Sequence, residues 1–278
     1  MTTTPQRLLV LFAITPAAVV VIGGLGSTVL QSVGLMPLVG PSRLSADAFA
    51  TVATEVPVAA GVSVGIAAVS TFLAVVIGGA AAVLIVSGGL LARGLIGLSA
   101  ATVTVPHLIG AAMIGLLLAD SGVLARVLQV PAEAWPSFVG GPWWAAVIIE
   151  YAWKESAFVA LVVAGTLATR VARFDETAAM LGAGRMTRLR LVLIPLALPS
   201  LIISGAITFV YTLGSYEVAW LLGRTYPEPL SVMAVRLYGE VSLSSRPEAA
   251  AVAVVIIALA ALGGGIAFLL LRRTAVWR

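Results

Sequence analysis

The side chains able to do chemistry are few. The chain has one histidine, His107, one lysine, Lys154, and no cysteine. Without thiols there is no disulfide scaffold, iron–sulfur cluster or thiolate metal site, and a lone imidazole does not make a histidine-based metal or catalytic centre. Ser99 and His107 stand eight residues apart with no glycine-framed nucleophile, a weak basis for hydrolysis. A phosphate-binding loop of the GxxxxGK[ST] type needs a lysine after its second glycine, whereas Lys154 sits in Ala-Trp-Lys-Glu-Ser. Any nucleotide energy must therefore be harvested by another chain, and no cofactor is expected. What remains is ionic: Glu150, Lys154 and Glu155 close together, and Glu217 within Gly-Ser-Tyr-Glu-Val-Ala-Trp.

The elements that must position these groups are written in the composition. Of 278 residues 60% are apolar and 10% charged, and the mean hydropathy is +1.11. A water-soluble domain of this size would expose far more charge, and the 28 glycines follow no collagen period. The expectation is an all-α polytopic membrane protein, one transmembrane unit over residues 1–278. A hydrocarbon core of roughly 30 Å needs about 20 helical residues. Six apolar runs meet that length: Leu8 to Leu30, Val56 to Val86, Gly94 to Leu118, Trp143 to Leu167, Leu196 to Leu222 and Ala249 to Leu271. The first is read as a retained helix, since no small-x-small cleavage site follows it.

The net charge of +4 reports topology here and not nucleic acid, so the surface partner is membrane lipid. With the amino terminus in the cytoplasm, the inner segments hold Arg7, Arg93, Arg170, Arg173, Arg185, Arg188, Arg190, Arg272, Arg273 and Arg278 against Asp175 and Glu176. The outer segments hold Arg43, Arg126, Arg224, Arg236 and Arg246 against seven acids. Cations concentrate on the cytoplasmic side, which puts both termini there.

Charges inside spans must face protein or a water-filled cavity, because an ionised group at the bilayer centre costs at least ~2.5 kcal/mol. Glu150 and Lys154, four apart, can pair on one helical face as internal glue. Alternatively Glu150, Glu155 and Glu217, with Tyr216 beside the last, line a path that favours a cationic solute. His107, after Pro106, reads as a packing residue at a kink.

The one long inner connection, 168–195, carries the most specific pattern. Helix formers from Phe174 to Leu181 lead into Gly182-Ala183-Gly184, and a second helical stretch runs to Pro195, which suits the first turn of the next span. Ala178, Ala179, Gly182 and Ala183 leave little bulk at the turn, so another protein surface can come close to the backbone. Glu176, Ala178, Gly182, Pro195 and Pro199 resemble the cytoplasmic EAA loop of the binding-protein-dependent (type I) ABC importer permeases. Thr177, Gly184 and Ile194 depart mildly from that pattern.

The resemblance implies a type I ABC importer permease fold of six transmembrane helices in a bacterial cytoplasmic membrane. It implies a subunit with no chemistry of its own, forming half of a pathway for a small-molecule solute. Its partners would be a second permease, identical or homologous, two ABC ATP-binding subunits and an extracytoplasmic solute-binding protein. Glu176, Thr177, Ala178, Ala179, Gly182, Ala183, Gly184 and Arg185 would contact the ATP-binding subunit. Residues 151–158 and 214–223 look like their counterparts in the branch that moves polyamines, thiamine or ferric iron. The rival reading is a self-sufficient ion-coupled transporter using Glu150, Glu217 or His107.

Overall fold

The computed structural model describes residues 4–168, 174, 177–178 and 180–274, and every regular element among them is helical. In chain order these are α1 (Thr4–Ser32), α2 (Asp47–Val52), α3 (Val56–Val86), α4 (Gly89–Thr104), α5 (His107–Leu118), α6 (Val123–Val127) and α7 (Ala145–Ala168). There follow α8 (Arg185–Arg188), α9 (Ile194–Gly214), α10 (Glu217–Leu222), α11 (Leu230–Gly239) and α12 (Arg246–Thr274), with short 3-10 turns between some of them. Five stretches are long and apolar enough to cross a bilayer: Ile14–Ser32, Val56–Val86, His107–Val127, Arg185–Gly214 and Leu243–Thr274.

α7 is the innermost helix. It packs on α3 along its length and on α4, α5 and α9 at its flanks, and most of its circumference is buried. A helix carrying Glu150, Lys154 and Glu155 is compatible with the bilayer because neighbouring helices, not lipid, surround those groups. α3 buries small residues at about one-turn spacing, Ala59, Ser63, Ala67, Ser70, Ala74, Gly78 and Ala82, and meets α7 at Gly78 and Ala82. At Gly78 the approach is closest, since a Cβ there would lie 2.5 Å from the Ser156 carbonyl oxygen and 2.7 Å from Val159 Cβ. At 31 residues, α3 is about 46 Å long at 1.5 Å per residue and outreaches the hydrocarbon core. The two ends of α3 lie in separate apolar clusters. Ala82, Val159, Val163, Leu167 and Ala197 form one, and Val52, Ala59, Leu230, Met233 and Val252 the other.

Three expectations about continuity are corrected. The third span is not one helix: it breaks at Val105 and Pro106, both extended at ψ 124 and 144, between α4 and α5. Proline lacks the N–H that would bond the carbonyl one turn back, and its ring crowds that carbonyl. The fifth span likewise parts at Ser215, extended at ψ 133, into α9 and α10. Conversely, Pro195 does occupy the first turn of α9, as expected, but that helix is not separate from α8. α8 continues through a π-helical turn at Leu189–Leu193 into α9.

Candidate functional site

Two places gather the functional side chains. The first is the turn after Phe174. Glu176 and Ala179, with Arg170, Arg173, Asp175 and Arg278, lie outside the described residues. Thr177, Ala178 and Met180 are helical, the Leu181 amide donates to the Thr177 carbonyl at 3.1 Å, and Gly182 adopts a φ of +80. The Ala183 amide then reaches back to the Ala178 carbonyl at 3.0 Å. A left-handed residue followed by a six-to-one bond of this kind closes a helix in a Schellman turn, and glycine is the residue that adopts it without strain. Nothing lies within 4 Å of where a Gly182 or Gly184 Cβ would stand, and Met180 and Leu181 are 88% and 83% exposed. The turn presents apolar side chains outward on a backbone with open space around it.

The second is a charged cluster buried where α4, α5, α7 and α9 meet. The break after Thr104 ends the regular ladder of α4, and Lys154 caps its last carbonyls: its Nζ donates to the Thr102 carbonyl at 2.8 Å, which the Val105 amide also reaches at 3.2 Å, and to the carbonyl of Val105. The expected pairing of Glu150 with Lys154 is thus replaced by an ammonium capping the carboxyl end of a half-helix, where the dipole is negative. Glu150 faces His107 instead, with Oε1 3.2 Å from Nδ1, and Glu155 Oε1 stands 3.4 Å from His107 Nε2. Thr208 of α9 donates to the other Glu155 oxygen at 3.2 Å. Tyr211 lies against the imidazole, 4.9 Å between ring centroids. Glu150 fits because position 110 is glycine: a Cβ there would come 2.8 Å from its Oε1.

Glu217 and Tyr216 belong elsewhere. Tyr216 lines a cavity of about 510 Å³ between α10 and α11, together with Trp220, Arg224, Glu228 and Arg236. Arg236 is neutralised by Glu228, at 2.6 Å, and lies 3.5 Å from both Glu55 and Glu240. The hydrogen bond to Glu228 holds its guanidinium above the usual arginine range. Arg224 has no ion-pair partner among the described residues. Of the four residues expected to line a path, then, Tyr216 opens onto space and Glu217 is half-buried beside it, while Glu150 and Glu155 are enclosed between helices.

Residues 74–276 match the family described as the binding-protein-dependent transport system inner membrane component. The chain belongs to that family. The permease shares its fold with the solved structure of a bacterial ABC transporter involved in the import of the acidic polysaccharide alginate. The TM-score is 0.75 at 18% identity, over 98% of each chain. It is also similar to the MetNI methionine ABC transporter in an inward-facing conformation, with a TM-score of 0.59 at 20% identity, covering 83% of this chain and 99% of that one. No match is found among curated proteins. The permease is a multi-pass, non-catalytic membrane subunit of an ABC importer, which works with ATP-binding subunits and a substrate-binding protein. The family thereby displaces the self-sufficient ion-coupled carrier.

Thr208 and Tyr211 were not legible as members of the cluster. Thr208 meets Glu155 across 53 positions, and no local spacing signals such a contact. Trp220 and Arg224 bore a weak signal, a Trp and an Arg just after Glu217 at the end of an apolar run.

Proposed function

We propose that the permease imports a small cationic solute and is driven through the segment from Glu176 to Arg185, which docks on a cytoplasmic ATP-binding subunit. Two such subunits closing on ATP would draw two of these segments together and rock the bundle between inward-open and outward-open arrangements. The second segment comes from another permease, identical or homologous, and both termini lie in the cytoplasm. The carrying observation is the closed turn at Gly182, which holds Met180 and Leu181 outward. Apolar side chains this exposed at a loop tip are characteristic of an interaction surface.

The test is Gly182→Trp. The variant should insert into the membrane at the wild-type level, fail to co-purify with its ATP-binding subunit and lose ATP-dependent uptake. Wild-type uptake by this variant would defeat the docking role. For the solute, Tyr216 and Trp220 offer aromatic faces that suit an ammonium group, with Glu217 next to Tyr216 in the chain. Polyamines and thiamine are the classes to try first. In reconstituted vesicles, Glu217→Gln should lower the uptake of such a solute several-fold. Uptake of an anion instead would reverse this assignment and shift attention to Arg224.

A further inference from the structure

The buried cluster supports a conclusion that rests on neither the docking role nor the identity of the solute. Glu150 is 0% exposed, Lys154 4% and Glu155 8%, and the His107 side chain 18%. Two carboxylates and one ammonium enclosed together leave an unbalanced negative charge, which a low-dielectric interior penalises by several kcal/mol. Both ring nitrogens of His107 lie at ion-pair distance from a carboxylate, a different one on each side. A neutral imidazole has one N–H and one lone pair, so it would turn that lone pair onto a carboxylate oxygen. Only the imidazolium donates from both nitrogens.

We propose that His107 is a built-in proton-binding site of the permease: its imidazolium bridges Glu150 and Glu155 and, with Lys154, completes a charge-neutral clasp. The clasp ties the start of α5 to two successive turns of α7. Lys154 ties the end of α4 to the same helix, and Thr208 ties in α9 through Glu155. The other titratable groups around the ring are Tyr151 of α7, 6.1 Å between centroids, and Tyr211 of α9. α3, which packs on α7, bears no titratable residue, and Glu217 opens α10, which packs on α5 and α7. His107 is a positioning residue here, acting through the helices it holds.

That His107 is the chain's single histidine makes the test direct. The full chain, purified on a histidine-free tag and labelled with 15N-histidine, is placed in lipid nanodiscs with its unlabelled partner subunits. At neutral pH the ring should show two protonated nitrogens, and Glu150→Gln with Glu155→Gln should convert it to the neutral tautomer. The clasp is present while the ring keeps its proton and is lost as pH rises past the point of release. Thermal stability of the wild type should therefore fall on alkalinisation over the range in which the 15N signal changes, and His107→Gln should abolish that dependence. A neutral ring at neutral pH, with the proton on Glu150 instead, overturns the proposal, as does a stability profile that His107→Gln leaves unchanged.

Discussion

Glu150 and His107 can approach one another because residue 110 has no side chain. Adding a methyl group there puts carbon 2.8 Å from a carboxylate oxygen that is enclosed on every side, with Trp153 and Lys154 the next nearest neighbours. Gly110→Ala should lower stability by about 1–3 kcal/mol despite alanine's better helix propensity. Gly97→Ala, where nothing lies within 4 Å of the new carbon, should leave the melting temperature unchanged or raise it. Thermal unfolding of both variants in the same detergent checks the contrast. At this scale the sequence was half legible. The spacing of Glu150 and Lys154 correctly placed them on one helix, yet Lys154 took carbonyls 49 and 52 positions earlier, exposed only because Pro106 interrupts a neighbouring helix. A pairing rule confined to one helix cannot foresee acceptors that a break in another creates.

Among the elements, the contact between α3 and α7 is the least forgiving. At Gly78 the obstacle is the Ser156 backbone oxygen, which cannot rotate away as a side chain can. Gly78→Ala should cost more than Gly110→Ala, and Gly78→Leu should prevent accumulation of folded protein, both read as yield and melting temperature after extraction. Small residues at helix interfaces allow this proximity where lipid offers no hydrophobic incentive to associate. The apolar runs predicted the long helices well, because their length and hydropathy are set by the bilayer itself. The breaks at Pro106 and Ser215 and the fusion of α8 with α9 were missed, since hydropathy is blind to backbone direction. Pro106 and Pro199 both fall within apolar runs, but one interrupts a helix and the other lies inside one.

For the molecule as a whole, the arginine distribution predicts an orientation that a cysteine-free chain makes simple to examine. In intact cells with the outer envelope permeabilised, a membrane-impermeant maleimide should label Ser244→Cys, whereas Ser87→Cys should react only after the inner membrane is opened. Both positions are exposed, and they flank α12 and α3 at what the charge bias makes opposite faces. The reverse pattern would place the Gly182 turn outside and remove the basis for its docking role. The backbone proximity of α3 and α7 has a further consequence for motion. Two rods touching main chain to main chain cannot slide past each other in small steps, so the pair forms a keel. In the rocking proposed above, the give is then expected at the joints on either side of it, at Val105–Pro106 and at Ser215.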